Sequence, residues 1–368
     1  MYFNYKIILK IVGVISFIVG IAMIPSLIVA YYYGEKDTGI AFFESILLAV
    51  AIGGAIRIFV RPASSVIKMR DGYLIAAVCW FVASALGAFP YLLSEVTPSY
   101  LDAFFESVSG FTTTGATIIG DFQEVPKSIQ FWRSLSHWLG AMGILILAIS
   151  LLPALGIGGL MIASAEVPGP TVEKVTTRIS DSAKMLYTMY IAFTLIEIIL
   201  LKLGGLNYFD ALTHAFASIS TGGTAIYQNG IAHFNSLYVE IVITFFHIVA
   251  SINFVLYHKL FRGKWRELAK DNEFRVFLSI LLVAAILITL NLWISGACNS
   301  LGSSTRHAFF QATSFMSTSG YATADYTIWP AFSQMILLCL MFIGGCSAST
   351  CGSVKVIRIM IIFKLIIR

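Results

Sequence analysis

Three short segments of the chain combine hydroxyl side chains with a closing glycine. They are Thr112-Thr113-Thr114-Gly115, Ser220-Thr221-Gly222-Gly223 and Ser317-Thr318-Ser319-Gly320. One such tetrapeptide alone is typical of a polar turn with a glycine helix cap. Three copies favour a shared role, because in each an alanine lies 12 residues before the final glycine and most residues between are apolar. Glycine permits a positive φ, which lets successive carbonyls face one side. Rings of carbonyl oxygens can replace the water shell of a monovalent cation.

The apolar stretch before each tetrapeptide is too short to cross a membrane. Ten residues in a helix reach about 15 Å, whereas the hydrocarbon core of a bilayer is about 30 Å thick. We therefore expect three re-entrant loops, covered by protein or water. In each, a short helix would direct its negative C-terminal end toward the cation. Acidic residues on the same side would concentrate cations at the mouth: Glu95, Asp102, Glu106, Asp121, Glu124, Asp210 and Asp325.

The composition of the chain indicates a membrane protein. Of 368 residues, 58% are apolar and 12% are charged, against about 45–50% and about 25% in soluble domains. The mean hydropathy is +0.85. These values exclude a soluble enzyme and a soluble nucleic-acid-binding protein. Stretches of about 20 apolar residues can span a bilayer as helices, and eight qualify: residues 11–33, 41–60, 73–93, 129–152, 185–203, 239–257, 274–294 and 335–367.

The distribution of lysine and arginine predicts the orientation of these spans. If the N-terminus is cytoplasmic and each span crosses once, 19 of the 24 basic residues lie on the inner side. The sequence therefore predicts a multi-pass protein with a cytoplasmic N-terminus. The basic run from Lys259 to Arg275 is interpreted as an orientation signal or a docking face. The outer side keeps five basic residues: Lys36, Lys127, Arg133, Lys202 and Arg306.

Small and polar residues interrupt the last apolar stretch. This segment reads Gly344-Gly345-Cys346-Ser347-Ala348-Ser349-Thr350-Cys351-Gly352-Ser353. Glycine and small polar residues disfavour a regular helix, and lipid cannot satisfy the freed backbone groups. We therefore expect the break to face the pore below the three loops and to act as a gate. The alternative is close helix packing through small residues.

The remaining reactive side chains do not indicate an enzyme. The five cysteines include no CxxC pair, and the six histidines share no metal-ligand spacing. Cys346 and Cys351 are interpreted as small apolar fillers. Arg133, Glu197 and Glu240 lie within or near apolar stretches, where charges usually face protein or water. The sequence does not assign them a role in proton coupling.

Seven motifs follow one another along the chain. They are TTTGAT at 112–117, HWLGAMGI at 137–144, EVPGP at 166–170, STGG at 220–223, SINF at 251–254, STSGYATAD at 317–325 and FIGGCSASTCGSVKVIR at 342–358. Together they resemble the Trk/Ktr/HKT superfamily of potassium transporters, and its bacterial TrkH/TrkG branch in particular. The resemblance covers essentially the whole chain.

The resemblance implies an all-α membrane fold. A unit of outer helix, pore helix, filter loop and inner helix is repeated around a pseudo-fourfold pore, after two extra N-terminal transmembrane helices. It maps the potassium-binding filter to the three tetrapeptides and the gating loop to Gly344–Ser353. Since family members that prefer potassium carry all filter glycines, Gly115 favours potassium over sodium. The implied regions are an N-terminal helix pair at 1–70 and three pore repeats at 71–160, 161–270 and 271–368.

The resemblance also implies how the protein is assembled and regulated. A Trk-type system takes up potassium across the cytoplasmic (inner) membrane, here through a homodimer in membrane lipid without an organic cofactor. A cytoplasmic, nucleotide-binding TrkA- or KtrA-like subunit is the implied regulator. This chain itself has no phosphate-binding glycine motif between a strand and a helix. Whether flux is passive or a symport with sodium or protons stays open.

The chain departs from the family pattern after the third repeat. Gly115 and Gly223 are 108 residues apart, and Gly223 and Gly320 are 97 apart. A fourth filter glycine is therefore expected about one hundred residues beyond Gly320, whereas the chain ends at Arg368. With repeat four absent, we expect a truncated or incomplete chain rather than a natural three-repeat protein completed by another subunit. Alone, it is not expected to conduct selectively. The alternative function is a non-conducting membrane fragment that only assembles with other subunits.

Overall fold

The structure is a computed structural model that describes residues 4–60, 69–143 and 179–367. Within these ranges the regular secondary structure is helical, apart from an isolated bridge between Ile343 and Val354. The expected all-α fold is confirmed. The chain divides into two compact units, Met1–Tyr187 and Thr188–Arg368.

Two long helices open the first unit. They are α1 (Tyr5–Tyr33) and α2 (Lys36–Phe59). The helices pack against each other through small residues, because a Cβ added at Gly53 would lie 2.8 Å from the carbonyl oxygen of Gly13. Glycines at such positions let membrane helices approach closely.

The rest of the first unit carries the first copy of the repeat. Helix α3 (Met69–Gly87) leads into the short α4 (Phe89–Leu93), followed by α5 (Tyr100–Phe111) and α6 (Lys127–Ala141). Helix α5 packs between α3 and α6. The predicted span at 129–152 begins as α6, and its part from residue 144 lies outside the described residues, as does the EVPGP motif.

The second unit contains the second and third copies. Helix α7 (Ile179–Leu203) contains the boundary between the units. The helices that follow are α8 (Tyr208–Ile219), α9 (Leu237–Ser251), α10 (Phe254–Phe261), α11 (Trp265–Lys270), α12 (Asn272–Ile294), α13 (Leu301–Met316), α14 (Ala331–Phe342) and α15 (Val356–Ile367). Helices α12, α13 and α14 pack against one another.

Five helices among the described residues are long and apolar enough to cross a membrane, or six if α9 and α10 form one span. Their surfaces carry large exposed apolar side chains, such as Ile28, Ile199 and Ile286. Such surfaces suit lipid rather than water. The predicted span at 239–257 is not a straight crossing, because α9 and α10 meet at a bend of 97°.

The bend between α9 and α10 has a local cause. Ile252 is extended, and the side-chain oxygen of Asn253 accepts a hydrogen bond from the backbone N of Val255 at 2.9 Å, which caps α10. The carbonyl of Ser251 accepts a hydrogen bond from the backbone N of Cys346 at 2.8 Å. The segment Gly344–Ser353 thus supplies a hydrogen-bond donor to a carbonyl at the bend. Buried backbone N–H and C=O groups need such partners.

Candidate functional site

Each of the three tetrapeptides follows a short helix with a capped N-terminus. The helices are α5, α8 and α13, with 12, 12 and 16 residues. At about 1.5 Å per residue they reach roughly 18–24 Å, which is less than the hydrocarbon core of a bilayer. Ser99, Asn207 and Ser300 cap them, each accepting a hydrogen bond from the backbone N three residues later, at 3.2, 2.8 and 3.1 Å.

The backbone of the tetrapeptides has the same conformation in all three copies. The second residue is a threonine with positive φ, 55° at Thr113, 52° at Thr221 and 61° at Thr318. The closing glycines also have positive φ, 77° at Gly115, 61° at Gly223 and 82° at Gly320. A left-handed conformation is unusual for a β-branched residue. Because this conformation recurs at the same position in all three copies, the segments are similar in backbone geometry as well as in sequence.

The backbone amides of the tetrapeptides turn back to their own helices. In the third copy, the N of Thr318 donates to the O of Phe315 at 3.0 Å, and the N of Ser319 to the O of Ser314 at 3.0 Å. Within the described parts of the chain, no protein group donates to the second and third carbonyls of any tetrapeptide. These carbonyls are therefore available to a ligand. The equivalent bonds join Thr113 to Gly110 (3.1 Å), Thr114 to Ser109 (2.9 Å), Thr221 to Ser218 (2.9 Å) and Gly222 to Ala217 (3.0 Å).

Within the second unit, the second and third tetrapeptides lie side by side. A Cβ added at Gly223 would lie 1.6 Å from the carbonyl oxygen of Ser319. Tyr321 follows directly after the third tetrapeptide, and Thr224 directly after the second. The hydroxyl of Tyr321 donates a hydrogen bond to the carbonyl of Thr224 at 3.1 Å. The residues that follow both tetrapeptides line a cavity of about 470 Å³, which also includes Asp325.

Asp325 supplies a negative charge to this cavity. Its Oδ1 accepts hydrogen bonds from the backbone N and the hydroxyl of Thr327, at 2.9 and 2.6 Å. These hydrogen bonds lower the pKa of Asp325 below its ordinary value. The carboxylate is therefore ionised at neutral pH and attracts cations to the cavity.

Two of the acidic residues expected at the mouth are instead buried. Asp210 accepts a hydrogen bond from the Tyr227 hydroxyl at 3.0 Å, and burial together with the Asp210 charge raises the pKa of Tyr227 to about 12. Glu106 is fully buried, and its Oε2 lies 3.3 Å from Nε of Arg133. The expectation that Glu106 concentrates cations at the mouth is therefore wrong, because its charge is paired inside the protein.

The segment Gly344–Ser353 lies against both tetrapeptides of the second unit. The Thr350 hydroxyl is 3.1 Å from the carbonyl oxygen of Ile219, the residue before the second tetrapeptide, and 3.1 Å from that of Ala250. The N of Gly352 donates to the hydroxyl oxygen of Thr318 at 2.8 Å. The interrupted segment thus contacts the second and third copies directly.

Two charged residues that the sequence did not single out hold this segment. Glu273, at the start of α12, accepts hydrogen bonds from the N and hydroxyl of Ser347, both at 2.7 Å, and from the N of Ile357 at 3.2 Å. The ammonium of Lys355 donates to the carbonyls of Ser349 and Cys351. Glu273 immediately precedes the predicted span at 274–294, and Lys355 lies inside the last apolar stretch and within the motif at 342–358, but neither position indicates these contacts.

Comparison with known proteins agrees with the repeated geometry. The model of the TrkH family, described as cation transport protein, matches residues 38–368. The chain belongs to the TrkH family. It is 36% identical over 370 residues to the Trk system potassium uptake protein TrkH of Escherichia coli (strain K12), which covers 98% of this chain and 75% of that protein. The Trk system potassium uptake protein TrkG of the same strain is 34% identical over 364 residues, covering 98% and 75%.

A solved structure also resembles this TrkH-family chain. The crystal structure of the potassium transporter TrkH from Vibrio parahaemolyticus has a TM-score of 0.86 and 32% identity, covering 98% of this chain and 74% of that one. The chain thus spans about three quarters of the length of these relatives. Its assignment to the Trk group and to multi-pass membrane proteins is confirmed.

Proposed function

We propose that this TrkH-family chain is the potassium-translocating membrane subunit of a Trk-type uptake system. In this proposal each tetrapeptide contributes backbone carbonyls to a selectivity filter. The observation that carries it is the conformation repeated three times, in which the amides bond back to the helix and the second and third carbonyls meet no donor from the described residues. Carbonyl oxygens at the negative ends of helices suit a dehydrated monovalent cation.

We further propose that Gly344–Ser353 is the gating loop. Its support is its contact with Ile219 and Thr318, which places it against the second and third tetrapeptides. The loop is not a regular helix, and its hydrogen bonds run to other segments, such as those from Cys346 to Ser251 and from Gly352 to Thr318.

The family resemblance adds the setting of this function. We propose a cytoplasmic-membrane homodimer with a cytoplasmic N-terminus and a TrkA- or KtrA-like regulatory subunit. The exposed basic segment around α11 lies on the predicted cytoplasmic side, where such a subunit would dock. Pore repeats at 71–160, 161–270 and 271–368 remain the proposed division.

Cation-dependent stability of the purified 368-residue chain tests the proposed filter. A ligand that binds only the folded state stabilises it by about 2.7 kcal/mol at one hundred times its Kd. We expect potassium and rubidium to raise the unfolding midpoint in detergent more than sodium does, with choline as the ionic-strength control. Equal effects of all cations would contradict a potassium filter.

Rubidium uptake by potassium-uptake-deficient cells then tests translocation. Potassium-selective stabilisation together with rubidium uptake is the result expected for a translocating subunit, and it would overturn the expectation from the sequence that this chain alone does not conduct selectively. Stabilisation without uptake would instead favour the non-conducting fragment considered from the sequence.

A further inference from the structure

Behind the first tetrapeptide lies a buried pair of opposite charges. Glu106 comes from α5 and Arg133 from α6, and the two side chains are 0% and 3% exposed. Nε of Arg133 lies 3.3 Å from Oε2 of Glu106. Burying a charge costs free energy unless the charge is paired and hydrogen-bonded. The other contacts of Glu106 and Arg133 therefore show which part of the protein the pair holds. The inference that follows rests on the proposed role of Thr112–Gly115 in the filter.

Glu106 holds the chain where it leaves the filter. Its Oε1 accepts hydrogen bonds from the hydroxyl of Thr117 and from the backbone N of Ile118, both at 2.7 Å. Hydrogen bonds to an ionised carboxylate are roughly twice as strong as neutral ones. The carboxylate therefore fixes the two residues that lie just beyond Gly115 and Ala116.

Arg133 holds the filter itself. Its Nη2 lies 3.4 Å from the carbonyl oxygens of Gly115 and Ala116, and its guanidinium carbon is 4.2 Å from the ring centre of Phe122. The carbonyl of Gly115 is thus directed to a protein cation, unlike those of Thr113 and Thr114, which meet no donor in the described structure. A planar fork of several donors can make these contacts at once, which an ammonium group cannot.

The other two copies carry different residues at the position of Glu106. Nine residues before the closing glycine stand Glu106, His214 and Gln311. Oε1 of Gln311 accepts a hydrogen bond from the N of Thr323 at 3.4 Å, and Thr323, like Ile118, is the third residue after its glycine. The same brace is therefore charged in the first copy and neutral in the third.

We propose that Arg133, acting with Glu106, is a positioning residue that determines the cation selectivity of the first filter segment. The pair fixes the Gly115 peptide and the two residues held by Glu106, Thr117 and Ile118. The carbonyls of Thr113 and Thr114 therefore keep a spacing suited to potassium. Without the pair, the segment adapts to a smaller cation, and discrimination against sodium is lost.

Substitutions in the full chain test this role by the ratio of the potassium and sodium shifts of the unfolding midpoint. Arg133→Gln is expected to reduce this ratio at least threefold, and Arg133→Lys to restore it in part because it keeps the charge. Arg306→Gln is the matched control, because the Arg306–Glu240 pair, joined at 2.5 Å, makes no hydrogen bond to a tetrapeptide in the described parts of the chain. The double variant Glu106→Gln/Arg133→Gln removes both charges of the pair, so that neither is left buried without its partner. It replaces Arg133→Gln in these measurements if the single variant does not fold.

Hydrogen–deuterium exchange supplies a readout that does not depend on cation binding. In the double variant, exchange of the peptide covering residues 112–118 is expected to accelerate about tenfold, with the rest of the first unit unchanged. Uniform acceleration would indicate a purely structural pair and overturn the proposal, as would an unchanged selectivity ratio. A wild-type chain without any potassium preference would refute the proposed function, while the exchange result would still decide whether the pair braces the loop.

Discussion

Substitution of Gly223 by alanine tests the close approach of the second and third tetrapeptides, which form part of the proposed filter. Gly223 has a φ of 61°, where an L-residue costs about 1–2 kcal/mol. The new Cβ would also lie 1.6 Å from the carbonyl oxygen of Ser319, which must move by roughly 1.8 Å to reach the 3.4 Å of an ordinary contact. Overpacking of this kind costs about 1–3 kcal/mol. The displaced carbonyl would no longer be in position for a cation.

The equivalent substitution in the third copy is a matched control. Gly320 closes its tetrapeptide with a φ of 82°, but a Cβ added there meets nothing within 4 Å. Gly320→Ala therefore imposes the backbone strain without the clash. The difference between the two variants isolates the clash, which we expect to lower the free energy of unfolding of Gly223→Ala by a further amount of about 1–3 kcal/mol.

Unfolding of the purified variants in potassium and in choline measures both effects. Gly223→Ala is expected to have the lower midpoint in choline and to lose the stabilisation by potassium, whereas Gly320→Ala keeps most of it. Equal midpoints would show that the two segments do not approach as closely as the structure has them. Full potassium stabilisation in Gly223→Ala would refute the assignment of the Ser319 carbonyl as a ligand.

Three further outcomes are expected. Glu273→Gln removes the charge that holds Ser347 in the proposed gating loop and Ile357 at the start of α15, so rubidium uptake and hydrogen exchange of residues 344–357 should increase. Glu267→Gln, in an exposed ion pair, should change neither. Thr318→Val deletes the acceptor for the amide of Gly352 at nearly constant shape, so that amide should exchange faster with a loss of about 1 kcal/mol; unchanged exchange would argue against the contact. Asp325→Asn should slow rubidium uptake into proteoliposomes at low salt but not at high salt. Because the pKa of Asp325 is lowered, the wild-type rate should fall only when the pH drops below the ordinary aspartate range, and the variant should lack this step.

The repeat was predictable from the sequence because its signals are local. The distance from Ala103, Ala211 and Ala308 to a closing glycine can be counted directly, and an apolar run of ten residues has a known length in a helix. The structure adds that threonine takes the left-handed conformation at the second position of each copy. β-branched residues disfavour that conformation, so residue type alone indicates the opposite.

Contacts between distant parts of the chain were not predictable in the same way. The partner of the Ser251 carbonyl at the bend is the backbone N of Cys346, which lies 95 residues further along the chain. From the sequence, Arg133 and Glu106 are each predicted to lie on the outer side of the membrane, because each is positioned only relative to the nearest predicted span. Their pairing depends on the packing of α5 against α6, which a single sequence does not reveal.

The two ends of the proposed gating loop are joined to each other. The N of Gly344 donates to the carbonyl of Val354 at 3.0 Å, and the N of Val354 to that of Phe342 at 3.3 Å, so α14 and α15 meet where the loop begins and ends. The loop can therefore rearrange while both helices keep their tilt and depth. Motions confined to loops take nanoseconds to microseconds, whereas helix shifts take microseconds to milliseconds. Opening should accordingly be insensitive to bilayer thickness and to the stiffness of the surrounding lipid.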